Sequence, residues 1–538
     1  IGQMHMEPNH EDAASVPQTT GASILPAERV YQDPSAPAGL KDKKEPSIPF
    51  TGVDACFAIL ALVCGYLFVW LVNPLALLAP YSLGVGVTIF AACFYTTALL
   101  YMRKQKISPP KSSYGWLGLS MVSALYFALF SNGVLKFFNL FFCMIVTVYW
   151  IAAACGSRLE PSLGRFVVPD LLDQLFRIPF SSFTCGPKIL RGAAGKSRRS
   201  KNALAAVLGI LVAIPLVMVV GTLLTRADQT FARMVQEMTA EFGERLLEFL
   251  LRLLPAALVG CYFFGMFYGN LQKRFVAVRG KEDVEKVREK RRKLPPAMTV
   301  TVLALLTGVY LLFFGAQAAT LFSAFAGVRP EGLTYAEYAR QGFFELCGVA
   351  MINLAVLGGV RLFTVKKGEK PVRPLVVFSV LLSAETLLLI VTALSKMVLY
   401  IQQYGLTLLR VYTSWFMVLL FIVFAIVIVA QFRRVNLAKA LVLAFSICFL
   451  LLCYSNVDGL IARYNIGRYQ AGTLDSVDLE ALYATPEASL PYVKELYQET
   501  DDPALRAEIR NYWGGFGQYD VPFHEQNLEH FLAQENTI

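Results

Sequence analysis

Charge is scarce in this chain. Of 538 residues only 16% are Asp, Glu, Lys or Arg, whereas 56% are hydrophobic and 39 are phenylalanine. With a mean hydropathy of +0.51, that composition excludes an ordinary soluble domain of this length. Histidine is scarcer still. His5, His10, His524 and His530 all lie near the termini, which rules out a histidine-rich metal centre within a membrane. No Cys-x-x-Cys occurs among the ten cysteines. Cys56, Cys64, Cys93, Cys143, Cys261, Cys347 and Cys448 lie inside apolar runs and read as small packing residues, not as a disulfide framework. A phosphate loop is missing too. "RGAAGKSRRS" contains Gly-Lys-Ser, but Leu190 stands where a Walker A loop needs its first glycine, and no strand precedes it. No nucleophile–base pair stands out. No catalytic residue, metal or cofactor is assigned.

What the chain has instead is length of apolar run. Runs of about 18 residues or more match a hydrocarbon core of about 30 Å. About eleven spans are expected, near 54–72, 81–102, 114–130, 134–155, 203–224, 249–270, 298–326, 342–362, 374–401, 411–432 and 437–454. The fold class is therefore an all-α integral membrane protein with a transmembrane bundle over 51–454. Placing the N-terminus in the cytoplasm puts 35 of the 49 Lys and Arg on the inner side. The outer loops "NPLALLAP" and "SNG" then hold none. Every alternation obeys the positive-inside bias, so the net charge of +10 is an orientation signal. Membrane lipids, not nucleic acid, are the expected partners.

Three segments lie outside the spans. Residues 1–50 have the composition of a disordered cytoplasmic tail. Nothing there resembles a signal peptide, so the first apolar run is expected to serve as an uncleaved anchor. Residues 225–248 carry Phe231, Met234, Met238, Phe242 and Leu246 at helical spacing between charged faces, an amphipathic helix on the outer surface. "VVPDLLDQLFRIPF" (167–180) has the same character on the inner side. After 454 the balance inverts, to fourteen acidic residues against five Lys and Arg. Residues 455–538 are expected to form a small, acidic helical cap on the extracytoplasmic face.

Ionisable residues within spans are costly in lipid and turn toward protein or water. Lys136 and Arg252 lie near outer span ends and can snorkel. Glu385 is the deepest. A single interhelical hydrogen bond is one reading of it, and a water-filled cavity reaching it from outside is the other. The outer ends of the later spans gather polar groups: Tyr338, Arg340 and Glu345, then Tyr404 and Arg410, then Asp458, Arg463, Asn465 and Arg468 in "NVDGLIARYNIGRY". Arginine suits bidentate contact with carboxylate or phosphate. These residues and Glu385 form either a ligand site for an anionic small molecule or lipid headgroup, or an ion-pair and tyrosine clamp fixing the cap to the bundle.

"YAEYARQGFFEL", "YGLTLLRVY" and "NVDGLIARYNIGRY", with "RADQTFARMV" in the outer loop, resemble the bacterial polytopic membrane proteins grouped as domain of unknown function 4153/4173. The likeness runs from about residue 50 to 500. It departs at Val457, where members often carry proline. The resemblance implies a bacterial cytoplasmic (inner) membrane location and no reaction, because the group is uncharacterised. Three functions are therefore weighed. The first is a non-enzymatic sensor, scaffold or accessory subunit, with a partner protein in the membrane. The second is a proton-coupled transporter using Glu385, against which stands the lack of a clear internal repeat. The third is an extracytoplasmic lipid- or sugar-transferring enzyme, disfavoured because the first outer loop holds no acidic residue.

Overall fold

The computed structural model describes residues 50–73, 82–194, 209–239 with short breaks before 219, 242–273, 280–325, 343–365, 372–514, 516 and 521–535. Among these residues the structure is helical, with a single isolated bridge between Leu294 and Thr364. The chain is a multi-pass membrane protein: nine of the described helices are long and apolar enough to cross a membrane. Of the eleven expected spans, 203–224 lies largely outside the described residues. The span expected at 114–130 is a helix, but it is not among the nine. It carries Lys111, Ser112, Ser113, Ser120 and Ser123, and it buries Ser113, Ser120 and Ser123.

The first group of helices begins with α1 (Gly52–Leu67), opened by a reciprocal cap in which Thr51 N donates to Asp54 Oδ2 at 2.7 Å and Asp54 N donates to Thr51 Oγ1 at 3.3 Å. Then come α2 (Val85–Lys104), α3 (Lys111–Leu129) and α4 (Gly133–Cys155). A short connection makes α3 and α4 antiparallel neighbours. Trp116 meets Tyr149 at one end, and Ser123 bonds Asn139 nearer the other. After α4 the chain folds into α5 (Val167–Leu172), a π-helical turn (Asp173–Arg177), α6 (Ile178–Ser181) and α7 (Cys185–Ala194). The amphipathic stretch at 225–248 falls on α8 (Gln229–Thr239) and on the first two turns of α9 (Phe242–Leu271).

Small residues let α9 approach its neighbours closely. A Cβ on Gly65 would lie 2.3 Å from the Ala256 carbonyl oxygen, and one on Gly260 would lie 2.8 Å from Leu62 Cα. In lipid, where burying apolar surface gains little, such close backbone contact is a main source of helix association.

A second group follows α10 (Lys281–Arg291): α11 (Pro296–Phe325), α12 (Phe343–Phe363), α13 (Arg373–Tyr404) and α14 (Leu408–Phe432). Leu303, Ala350, Leu382, Ile390, Met417 and Phe424 form its core. The last apolar helix, α15 (Leu437–Tyr454), touches both α14 and α3 and so links the two groups.

Five helices remain: α16 (Val457–Gln470), α17 (Leu479–Tyr483), α18 (Pro486–Glu499), α19 (Pro503–Trp513) and α20 (Leu528–Glu535). Their apolar residues Leu490, Val493, Ile509 and Trp513 share one buried cluster with Leu135 of α4 and Phe449 of α15. Residues 524–526 cross the start of α2, where Val85 N donates to the Gln526 carbonyl at 2.8 Å. Gly84 permits this crossing, since a Cβ there would lie 2.2 Å from Glu525 backbone atoms.

Candidate functional site

The expected site residues fall into separate places. Tyr338 and Arg340 lie outside the described residues. Glu345 is exposed near the start of α12, and Arg463 is exposed on α16. The others divide among a helix turn, a buried charged joint and a membrane-embedded carboxyl group.

The turn between α13 and α14 brings together Tyr404, Arg410, Asn465 and Arg468. A helix leaves its last carbonyl groups without intrahelical partners, and here side chains supply them. Arg468 Nη1 donates to the carbonyls of Ile401, at 3.3 Å, and Gln402. Arg410 Nη1 donates to the carbonyls of Tyr404, at 2.9 Å, and Gly405. The Arg410 guanidinium also lies 4.1 Å from the centre of the Tyr400 ring. Asn465 pairs with the next residue as a strand would: Leu406 N donates to Asn465 Oδ1 at 2.7 Å, and Asn465 Nδ2 donates to the Leu406 carbonyl at 2.8 Å. Gly405 makes this possible. Its φ is +75°, and a Cβ would fall 2.5 Å from Asn465 Oδ1.

Asp458 belongs to the joint between α16 and α4. Asn456, at φ 45°, caps α16 by accepting from Gly459 N at 3.0 Å. In the first turn of that helix Asp458 is buried. Asn132 Nδ2 donates to its two oxygens at 2.8 and 2.9 Å. The same Asn132 caps α4 by accepting from Leu135 N at 2.8 Å, and it bonds the Tyr412 hydroxyl at 2.8 Å. One side chain thus ties α4, α14 and α16 together. Burial pushes the Asp458 carboxyl up to about 7, the Asn132 bonds oppose the rise, and the nearby Glu529 and Glu487 carboxylates add to it.

Lys136 lies one turn further along α4 and is fully buried. It does not snorkel. Its ammonium has no hydrogen-bond partner, and neither has the buried Oε1 of the half-buried Glu529. Glu529 Oε2 accepts from Ser131 N at 2.8 Å and from Ser131 Oγ at 2.7 Å. Burial raises the Glu529 carboxyl above the usual range, although the Ser131 bonds and Lys136 act against the rise. Beside it His530 Nδ1 stands 3.7 Å from Glu487 Oε1. One fully buried lysine of the bundle therefore lies within electrostatic reach of Glu487, Glu525 and Glu529, partly buried carboxylates of the C-terminal segment, without bonding any of them. Lys136, Asn132 and Glu529 were missed as partners in the sequence, although Asn132, Lys136, Asn139 and Cys143 recur at helical spacing and mark one polar face of α4.

Glu385 is far from both groups in the fold, on α13 within the second group of helices. It is 8% exposed, and neither carboxyl oxygen has a hydrogen-bond partner. The hydroxyl of Thr307 on α11, likewise buried and without a hydrogen bond of ordinary geometry, lies beside this carboxyl group. Nearby, a polar chain crosses three helices: Tyr310 OH donates to Asn353 Oδ1 at 2.8 Å, and Asn353 Nδ2 donates to Thr386 Oγ1 at 2.9 Å.

The model of the family described as Domain of unknown function (DUF4153) matches residues 117–496. This match begins within α3 and ends within α18, so it includes Asn132, Lys136, Glu385 and the whole of α16. No curated protein and no solved structure matches the chain. The chain belongs to the DUF4153 family.

Proposed function

We propose that this DUF4153 protein is a non-enzymatic sensor, scaffold or accessory subunit of a bacterial cytoplasmic membrane. Its C-terminal helices act as an extracytoplasmic cap responsive to an anionic ligand, a lipid headgroup or a partner protein. The observation that carries this reading is the fully buried Lys136, whose ammonium has no hydrogen-bond partner and is within electrostatic reach of Glu487, Glu525 and Glu529 in the C-terminal segment. A buried ion cluster adds little net stability, because desolvation offsets the attraction, but losing one member is costly. That asymmetry suits a latch. The lysine and arginine bias supports the sidedness.

Arg410 and Arg468 fit the same reading. Their guanidinium groups already hold the carbonyls at the end of α13. An anion arriving there competes with those carbonyls, so its capture and the loosening of α16 are one event. A ligand shifts such an equilibrium only by its difference in affinity for the two states.

The test is hydrogen exchange over 457–470 in nanodiscs with and without phosphatidylglycerol. The reading predicts faster exchange with the anionic lipid in wild type, and exchange already fast in Arg410→Gln without it. Equal wild-type exchange in the two membranes overturns the ligand-responsive cap. A second reading, a proton-coupled transporter, is favoured by the unpartnered Glu385 carboxyl beside the Tyr310–Asn353–Thr386 chain. Proton flux in proteoliposomes that disappears in Glu385→Gln establishes that reading instead.

A further inference from the structure

The segment that follows α4 faces the opposite way from a water-exposed helix. Most of its polar side chains point into the protein, although Arg177, paired with Asp173 at 3.0 Å, and Ser181 are exposed. Asp170 accepts from Leu159 N at 3.0 Å, Gln174 donates to Ser157 Oγ at 3.2 Å, and Asn270 of α9 donates to Gln174 Oε1 at 2.8 Å. Asp170, Asp173 and Gln174 are all buried. Tyr262 OH of α9 donates to the Leu175 carbonyl at 2.9 Å, and Gly265 brings the α9 backbone against the Pro179 carbonyl. These contacts fix the orientation of the segment.

Its apolar side chains point out. Val168, Leu172, Phe176 and Phe180 recur every four residues and are 61%, 52%, 55% and 61% exposed. A helix bordering water shows the reverse pattern. The Phe180 ring meets the Tyr262 ring at 5.9 Å. Tyr262 in turn extends the exposed ridge of Leu251, Leu254 and Leu258 along α9. The stripe therefore continues a membrane-facing surface around a corner. On α7, which follows directly, Lys188 and Arg191 are exposed three residues apart on one side, whereas Cys185 and Ile189 are buried.

We propose that α5 to α7 lie in the interfacial layer of the bilayer. The four apolar side chains enter the acyl boundary, and Lys188 and Arg191 bind the headgroups of anionic phospholipid. Apolar burial and electrostatic attraction act together at such a surface. The proposal is independent of the joint at the other end of α4.

Photocrosslinking tests it. p-Benzoylphenylalanine replaces Phe176, Phe180 or, as a reference on the α9 ridge, Leu258, in full-length protein embedded in nanodiscs of equal phosphatidylcholine and phosphatidylglycerol. Lipid adducts at Leu258 report that the protein is folded and embedded. The expected result is lipid adducts at Phe176 and Phe180 as well. Phosphatidylglycerol should exceed phosphatidylcholine about fivefold, and the ratio should fall to near unity when Lys188→Gln and Arg191→Gln are combined. Adducts to a second copy or to another protein at Phe176 and Phe180, no adducts there while Leu258 still reacts, or equal labelling of the two lipids in wild type overturns it.

Discussion

Two buried carboxyl groups in this protein are treated in opposite ways. Asp458 sits at the joint with the C-terminal helices and has Asn132 donating to both of its oxygens. Glu385 sits within the membrane-spanning part and has no donor on either oxygen. A buried polar group without a partner costs roughly 1–3 kcal/mol. Asp458 avoids that cost by serving as structure. Glu385 bears it, as the proton-coupled transport reading requires of a group that exchanges protons. The difference separates the latch from the transport reading, and it can be broken experimentally.

The largest effect is expected at Asn132. Replacing it with alanine removes the α4 cap, worth about 1 kcal/mol, and leaves the Asp458 carboxyl buried without a donor, a further 1–3 kcal/mol or so. Thermal unfolding in detergent should shift down accordingly, and Asp458→Asn combined with Asn132→Ala should recover part of the loss. Next comes Gly405→Ala. The positive φ and the 2.5 Å approach to Asn465 Oδ1 predict destabilisation of about 1–3 kcal/mol, again read by thermal unfolding. Faster proteolysis between α13 and α14 should accompany it.

The pH dependence sharpens the comparison further. The Asp458 carboxyl is raised in the folded protein to about 7, so the folded state holds its proton more tightly than the unfolded chain does. Stability contributed by that proton is fully present below the ordinary carboxylate range and is lost as pH rises through about 7. Unfolding followed from pH 4 to 8 should show this decline in wild type and much less of it in Asp458→Asn. The smallest effect is expected at Glu385→Gln. With no hydrogen bond of ordinary geometry to lose, stability should change by about 0.5 kcal/mol or less, so that any change in proton flux reports function and not folding.

Much of the architecture was legible in the sequence because membrane helices announce themselves by length and apolarity. The helix ending at Tyr454 has the bounds expected from its run, 437–454. The helix over 111–129 was harder, since its serines weaken the apolar signal and are buried against α4. The candidate site was legible only in parts. Arg410, Asn465 and Arg468 stood out as polar residues near span ends, but their partners are mostly main-chain groups, which no side-chain pattern reveals. Lys136 looked able to snorkel because its sequence neighbours are close to a span end. What prevents it is α20, nearly 400 residues later, which places Glu529 at Ser131. Such a contact follows from tertiary packing and has no local trace.

In the proposed latch, Lys136 holds the C-terminal helices to the bundle by its charge. Hydrogen exchange in Lys136→Met tests it most directly, because methionine keeps most of the unbranched side chain and removes the ammonium group. Leaving the partly buried carboxylates without their counter-charge should cost about 3 kcal/mol, so exchange in 457–470 and 528–535 should accelerate about a hundredfold, with α11 to α13 unchanged. Protection in those two segments equal to wild type would contradict the account.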